Sequence, residues 1–175
     1  MSDTIIRPVR DGEIPAVTLL LHRAYARLAA GGLHFVAAHQ DDDTTRTRIR
    51  GGVCLVAERD GAIVGTITYL PPGEKGGCDW YERDDVAEFE QYAVEPALQG
   101  TGIGERLLGE AERRAIGDGA AELACDTAAP ATGLIAMYRR RGYRIVQPVD
   151  WRPFTNYESV VLSKRLSGKA DGSAR

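Results

Sequence analysis

The alternation of apolar and polar positions predicts regular secondary structure along the first half of the chain. Residues 5–9 form a short apolar run, and apolar side chains over 14–24 then recur at helical spacing. Two β-rich runs, 53–58 and 62–70, meet at Asp60-Gly61, a pair typical of hairpin turns. Asp41-Asp42-Asp43 followed by 44–50 indicates a capped, exposed helix. This half therefore predicts a strand, two helices and a β-hairpin.

The second half of the chain predicts a regular succession of strands and helices. After an irregular connection over 73–85, we expect strands over 88–94, 121–127, 143–149 and 159–166 and helices over 102–116 and 131–141. Gly142 suits the left-handed position that follows a helix end. Strands that alternate with helices in this way are typical of an α/β domain.

Length and composition limit the class of protein. A chain of 175 residues can form one domain, which we expect over 1–166, followed by a disordered polar tail over 167–175. The net charge of −3 and the short apolar stretches favour neither nucleic acid nor a membrane as partner. The N-terminus lacks the pattern of a secretory signal, so the cytoplasm is the expected location. Three scattered cysteines without a C-x-x-C pair indicate neither a disulfide framework nor a metal site.

One glycine-rich turn, Gln99-Gly100-Thr101-Gly102-Ile103-Gly104, follows a predicted strand and opens a predicted helix. The first backbone N–H groups of a helix have no partner within it, and the macrodipole adds positive potential there. Such a turn is suited to phosphate oxygens, and glycine lets a ligand approach the main chain closely. The chemistry indicated is anion binding.

The spacing of this turn differs from that of two common nucleotide motifs. A dinucleotide fingerprint starting at Gly100 needs glycine or alanine where Glu105 stands, and the glycine-lysine-serine/threonine ending of a P-loop is missing. The pattern Gln99-x-x-Gly102-x-Gly104 instead resembles the acetyl-CoA signature of the GNAT superfamily of acyl-CoA-dependent N-acetyltransferases. A second segment, 137–143, is similar to the L-Y-x-x-x-G-F segment of the same family.

The resemblance implies a fold, a donor and a reaction. We expect a GNAT-like α/β fold, with a mixed, strongly twisted sheet of six to seven strands flanked by about four helices and central strands that splay after Val94. The implied cosubstrate is acetyl-CoA, without a metal, and the implied reaction is acetyl transfer to a primary amine by direct attack. The residues implied in binding acetyl-CoA are Ala93, Val94, Gln99, Gly100, Thr101, Gly102, Ile103, Gly104 and Tyr138.

The resemblance also gives Tyr138 a catalytic role, in which its hydroxyl lies near the cofactor sulfur and protonates the departing thiolate. A phenol with an ordinary pKa near 10 is protonated at neutral pH, as this role requires. The alternative is a packed helix aromatic, because Leu134 and Ile135 lie one turn earlier. The family often has asparagine seven residues before this tyrosine, and this chain has Ala131 there.

Two glutamates are candidates for the general base that a protonated amine requires. The two-residue period of a strand predicts one shared face for Glu88, Glu90, Tyr92 and Val94. Glu88 aligns with a glutamate that acts as base through water in some relatives, and Glu90 is the alternative. A solvated carboxylate without a catalytic role is the third interpretation. By resemblance, the main-chain N–H of Val94 hydrogen-bonds the thioester oxygen.

The acceptor is left open by the sequence, which is compatible with small-molecule amines and with peptide or protein amines. We expect its site to form from the first helix and its following loop, the Asp79-Trp80-Tyr81 loop and residues 151–157, with Trp80, Trp151 and Tyr157 as candidate pocket walls. A longer-chain acyl-CoA donor and a non-catalytic acyl-CoA-binding sensor or interaction module are the alternatives to acetyl transfer. A homodimer is compatible with the resemblance.

Overall fold

The computed structural model describes residues 3–73 and 76–167, and within them seven strands form one sheet and four α-helices cover it. The strands are β1 (Ile5–Pro8), β2 (Val53–Arg59), β3 (Ala62–Leu70), β4 (Val86–Val94), β5 (Glu122–Ala128), β6 (Arg144–Val149) and β7 (Ser159–Arg165). The helices are α1 (Ile14–Ala30), α2 (Asp42–Arg48), α3 (Ile103–Gly117) and α4 (Thr132–Arg140). Most of the expected tail, 168–175, lies outside the described residues.

The strands follow the order β1-β2-β3-β4-β5-β7-β6 across the sheet. All neighbours are antiparallel except β4 and β5, which are parallel. This mixed sheet with four helices confirms the predicted fold class. The predicted hairpin is also present, and its turn places Asp60 at φ 52° and Gly61 at φ 76°, the left-handed values that a tight hairpin needs.

The helices pack on both faces of the sheet because each has one apolar stripe. On α3, Leu107 and Ala111 are fully buried against sheet residues that include Leu55. On α1, Val17 and Leu21 pack on the opposite face. Burying each leucine or valine side chain contributes roughly 1.5–3 kcal/mol, so these two layers provide much of the stabilisation that holds the central strands.

The sheet divides between β4 and β5. Their parallel pairing covers Val86–Glu88 against Glu122–Ala124. Beyond it, β4 continues to pair with β3 as far as Val94, and β5 continues to pair with β7 as far as Ala128. The prediction that the central strands separate after Val94 is therefore wrong in position, since the parallel ladder already ends at Glu88. A bulge in β4 bends the strand just beyond that point.

Candidate functional site

The glycine-rich turn lies at the N-terminus of α3, as the sequence predicts. Gly102 is the N-cap residue and has φ 88°, and Gly100 has φ 79°. A Cβ atom at either position would meet nothing within 4 Å, so the left-handed backbone, and not crowding, requires glycine there. The first N–H groups of a fifteen-residue helix therefore face a turn that carries no side chain at two positions, which fits the pyrophosphate of a CoA ester.

Two other residues of the turn hold it against β4. A Cβ atom on Gly104 would lie 2.5 Å from the Tyr92 hydroxyl oxygen, so this glycine allows α3 to pack closely on the strand. The Gln99 side chain donates from Nε2 to the Val94 carbonyl oxygen at 3.3 Å. These contacts fix the distance between the turn and the end of β4.

A β-bulge reverses the side-chain alternation of β4. Thr68 pairs with Glu90 and Thr66 pairs with Ala93, so the single residue between them, Ile67, faces both Gln91 and Tyr92. Gln91 adopts φ 51°, which a strand residue does not normally have. The extra residue shifts every later side chain of the strand to the opposite face.

The prediction that Glu88, Glu90, Tyr92 and Val94 share one face is therefore wrong. Glu90 lies on the α1 and α2 side, where it contacts Arg48, while Tyr92 and Val94 pack with the α3 layer. The two-residue period holds only for an uninterrupted strand, and the bulge adds one residue. As a result, carboxylates approach the gap between β4 and β5 from one face of the sheet and aromatic rings approach it from the other.

The Val94 N–H points toward the gap. Glu95 donates its backbone N–H to the Val64 carbonyl oxygen at 2.8 Å, and Val94 lies opposite Gly65. Donors alternate between the two edges of an antiparallel strand, so the N–H of Val94 is directed away from β3 and toward β5. This orientation is the one that a hydrogen bond to an acyl oxygen in the gap requires.

Tyr138 lies in a cluster of aromatic rings on the α3 and α4 side. Its ring centroid is 6.0 Å from that of Phe89, 6.4 Å from that of Tyr92 and 5.9 Å from that of Tyr143. Burial raises the pKa of its phenol well above 10, and the nearby Cys125 thiol adds to that rise. The hydroxyl is therefore protonated at neutral pH and can donate a proton into the gap.

A cavity of about 720 Å³ lies at the gap between β4 and β5 and is lined by the candidate acid, Tyr138, and by the two candidate bases. Its lining includes Glu88 and Glu90 from one face of β4 and Phe89, Tyr92 and Tyr138 from the other. The structure thus places the candidate acid and both candidate bases around one cavity, although they come from opposite faces of the sheet.

The side of the cavity that carries Glu88 and Glu90 bears charges of both signs. Arg48 donates from Nη2 to Glu90 Oε2 at 2.7 Å, and burial raises the pKa of that carboxyl while Arg48 lowers it. Asp126 accepts hydrogen bonds from the Tyr81 hydroxyl at 2.9 Å and from Trp151 Nε1 at 2.9 Å. Burial also raises the pKa of Asp126. Two carboxyl groups in different surroundings therefore line this part of the cavity, one paired with a guanidinium and one bonded to neutral donors.

Three aromatic rings form a further part of the cavity lining, which we define as the aromatic wall: Tyr25, Phe35 and Tyr157. The Phe35 ring lies 5.3 Å from that of Tyr25 and 5.0 Å from that of Tyr157, and all three line the cavity. The wall joins α1 and its following loop to the 151–157 segment, both of which the sequence predicts as acceptor elements.

Two of the three predicted pocket walls, Trp151 and Tyr157, line the cavity. Trp80 does not, and its ring instead lies 4.4 Å beneath the Arg83 guanidinium. From the same loop it is Tyr81 that reaches the cavity. The prediction for Trp80 is wrong because its ring packs against Arg83 and a neighbouring apolar cluster and does not line the cavity.

Two charged residues of the cavity, Arg48 and Asp126, were not predicted from the sequence. Arg48 ends a short polar helix and pairs with a strand 42 residues later, so no local pattern indicates it. Asp126 had a signal, because a carboxylate directly follows the apolar run Leu123-Ala124-Cys125 within a predicted strand.

The described part of the chain has neither a metal-ligand cluster nor a membrane-spanning helix. Across 3–73 and 76–167, no group of three or more histidine, cysteine, aspartate or glutamate side chains could hold a metal ion. In the same ranges, no helix has the length and apolarity needed to cross a membrane.

Known proteins similar to this chain are acetyltransferases. The profile of the acetyltransferase (GNAT) family matches residues 18–143. S-(2-succino)cysteine N-acetyltransferase of Bacillus subtilis (strain 168) is 36% identical over 124 residues, 69% of this chain and 72% of that protein. S-alkylcysteine N-acetyltransferase of the same strain is 26% identical over 151 residues, 83% of this chain and 81% of that protein.

Solved structures share the fold. An acetyltransferase from Salmonella typhimurium, solved with its cofactor acetyl-CoA, superposes with a TM-score of 0.67 at 19% identity and covers 99% of this chain and 100% of that one. At this identity the likeness concerns the fold.

Proposed function

The chain belongs to the GNAT acetyltransferase family and is an acyl-CoA-dependent N-acetyltransferase, and on this premise we propose that it acetylates the α-amino group of an S-substituted cysteine with acetyl-CoA as donor. The observation that carries the proposal is the cavity through the divided sheet, because it presents Tyr138 on the donor side and paired charges with the aromatic wall on the acceptor side. The two relatives named for S-substituted cysteines support this acceptor class.

The donor half is proposed from backbone groups. The turn at 99–104 binds the pyrophosphate through the N-terminal N–H groups of α3, and the end of β4, at Ala93 and Val94, binds the pantetheine arm. Acetyl-CoA supplies a thioester whose carbonyl carbon is open to attack. The Val94 N–H, directed into the gap, stabilises negative charge that develops on the carbonyl oxygen.

The acceptor half is proposed from side chains. An α-amino acid carries an ammonium and a carboxylate close together. The cavity has carboxylates and an arginine on one side, which match these two charges. The aromatic wall offers an apolar surface for the sulfur substituent. A cavity of about 720 Å³ has room for the amino acid and the acyl end of the donor together.

The proposed proton path uses groups on both faces of β4. Glu90 takes one proton from the ammonium, the neutral amine forms the C–N bond, and the C–S bond breaks. Tyr138 gives its proton to the departing thiolate, and the second nitrogen proton restores the phenol through solvent. Each turnover therefore yields one amide, one free thiol and one released proton. Glu88 lines the same cavity and is the alternative base.

The test is to incubate the protein with acetyl-CoA and each of a panel of acceptors, and to measure the release of free thiol that depends on the acceptor. We expect turnover with S-methyl- and S-benzylcysteine, and a KM for S-benzylcysteine at least about 10-fold below that for alanine, because burying the benzyl group is worth more than 1.4 kcal/mol. Propionyl-CoA and succinyl-CoA are the donor controls and should be slower. Turnover of peptide amines in preference to every S-substituted cysteine would overturn the acceptor assignment.

Calorimetry with CoA tests the donor half separately. We expect saturable binding with half-saturation between about 1 μM and 1 mM, the usual range of KM values for enzymes. If millimolar CoA gives no binding heat at two temperatures, the assignment of the turn is wrong. Binding of CoA without turnover of any amine would favour the sensor alternative.

A further inference from the structure

An ion pair between Arg48 and Glu90 faces the acceptor side of the cavity. Arg48 donates to Glu90 Oε2 from Nη2 at 2.7 Å and from Nε at 3.2 Å, and the two side chains are 26% and 22% exposed. Both residues line the cavity. The pair is therefore open to a bound acceptor while being partly shielded from bulk solvent.

A glutamine network sets the position of Arg48. Its Nη1 donates to Gln40 Oε1 at 2.8 Å, and Gln40 Nε2 lies 2.7 Å from Gln91 Oε1 and 2.7 Å from Thr45 Oγ1. Gln91 is the residue that makes the β4 bulge. The network thus fixes the guanidinium relative to the part of β4 that also carries Glu90.

Arg48 has hydrogen-bonding capacity beyond these contacts. A guanidinium has five N–H groups in a planar fork, and the bonds to Glu90 and Gln40 use three of them. The fork matches the geometry of a carboxylate, so an incoming carboxylate can replace Glu90 as its partner without removing the glutamine contact.

Several charged or titratable groups face Glu90 from the surrounding elements. Arg48 approaches from α2, Asp126 from β5 and Tyr25 from α1, and Glu88 precedes it on the same strand. Arg48 is the one cation in this set. Loss of its contact leaves Glu90 among acidic and neutral groups, where a carboxylate accepts a proton more readily.

We propose that Arg48 binds the α-carboxylate of the acceptor and that this contact withdraws Arg48 from Glu90, which then accepts the ammonium proton. The inference rests on the proposed function and assigns Arg48 to substrate recognition and to control of the base. Acceptor binding and base activation are thereby one event. An amine without a carboxylate leaves Arg48 on Glu90, and the chain discriminates against it in the chemical step.

The first experiment compares two acceptors on the unmodified protein. S-benzylcysteine and S-benzylcysteamine differ by the carboxylate alone. We expect kcat for the cysteamine to be at least about 10-fold lower, because the base stays paired. We also expect the acidic limb of its kcat–pH profile to lie at lower pH, since an arginine-paired carboxyl loses its proton more easily. Equal kcat values and equal limbs for the two acceptors would overturn the proposal.

The second experiment uses Arg48→Met and Arg48→Lys. For S-benzylcysteine, kcat/KM should fall by about 100-fold in Arg48→Met, mostly through KM, because a charge-assisted hydrogen-bond pair is lost. Arg48→Lys should recover part of that loss. For S-benzylcysteamine, Arg48→Met should leave kcat/KM unchanged or raise it. An equal loss for both acceptors would show a merely structural role for Arg48.

Arg46→Met is the matched control, because Arg46 lies on the same helix and pairs with Asp11 at the surface. This substitution should leave kcat/KM unchanged for both acceptors. CoA binding and the unfolding midpoint show whether each variant folds. Failure of the proposed function has a different signature, namely bound CoA with no turnover of any S-substituted cysteine. Turnover of those acceptors with no acceptor-specific effect of Arg48→Met would refute only the role of Arg48.

Discussion

The proposed donor and acceptor halves of the site are built in different ways. On the proposed donor side, β4, the turn at 99–104 and α3 are consecutive in the chain, and the groups proposed to bind the donor are mostly backbone N–H groups. On the proposed acceptor side, Arg48, Asp126 and the aromatic wall come from separate segments spread between Tyr25 and Tyr157, and they contribute side chains. A contiguous backbone site can keep one donor, while a site made of scattered side chains can change its acceptor by single substitutions.

The two halves also respond differently to substitution, which is what makes the comparison testable. A change in the donor half should affect every acceptor by the same factor, because each turnover uses the same thioester and the same leaving thiolate. A change in the acceptor half should affect acceptors unequally, as the Arg48 experiment requires.

Tyr138→Phe should produce the largest effect of the donor half. Removing the hydroxyl keeps the packed ring but removes the proton donor, so kcat should fall by about 100-fold with KM values little changed. The fall should be the same for S-methyl- and S-benzylcysteine, measured as thiol release at saturating acceptor and donor.

Tyr143→Phe is the matched control for that prediction. Tyr143 is buried in the same aromatic cluster, and its hydroxyl donates to Glu112 Oε1 at 3.1 Å. Its loss should cost about 1 kcal/mol of unfolding free energy and leave kcat within about twofold. If Tyr138→Phe behaves in the same way as Tyr143→Phe, the tyrosine is a packing residue and not the acid.

Gly102→Ala should produce a smaller effect, on donor affinity. A left-handed conformation costs a residue with a Cβ atom roughly 1–2 kcal/mol, so the free turn should relax to other backbone angles. CoA binding must then restore the left-handed form, and the affinity in calorimetry should fall about 10-fold. Gly109→Ala in the middle of α3 is the control, since its Cβ would meet nothing within 4 Å and its backbone is helical. Identical CoA affinities for the two alanine variants would show that the turn does not contact the donor.

Local patterns predicted most of the fold. The apolar stripe of α3 and the hairpin between β2 and β3 depend on periodicity and on one turn, and both lie close to their predicted bounds. The turn at 99–104 was readable for the same reason, since all of its residues are neighbours in the chain. Its role in binding acetyl-CoA stays a prediction.

Longer-range features could not be predicted from the chain alone. The bulge at Gln91 has no glycine or proline to mark it, and its glutamine side chain is held by Gln40, 51 residues earlier. Likewise, the place where β4 leaves β5 depends on which strands each retains as neighbours. Because face assignment by a two-residue period assumes a continuous ladder, one inserted residue was enough to misplace Tyr92 and Val94.

The burial of Asp126 in the proposed acceptor half should make the free energy of unfolding depend on pH. Burial raises the pKa of this carboxyl in the folded state, so the folded protein keeps its proton to higher pH than the unfolded chain does. As pH rises from about 4 through the folded-state pKa, the unfolded chain ionises first and the wild type loses stability. Above that window the penalty is complete and constant.

The Asp126→Asn variant has no ionisable group at this position and should not lose this stability. The difference between its unfolding free energy and that of the wild type should therefore rise as pH increases from 4 to 7. Urea unfolding at several pH values measures the difference, in which all unchanged groups cancel. Asp150→Asn is the control, because Arg152 lowers the pKa of Asp150 to about 2 and its contribution to stability changes little between pH 4 and 7. Its difference from the wild type should stay flat. If the difference in unfolding free energy between Asp126→Asn and the wild type is also independent of pH, water reaches this carboxyl in the cavity. Asp126 would then be as well hydrated as a surface carboxyl.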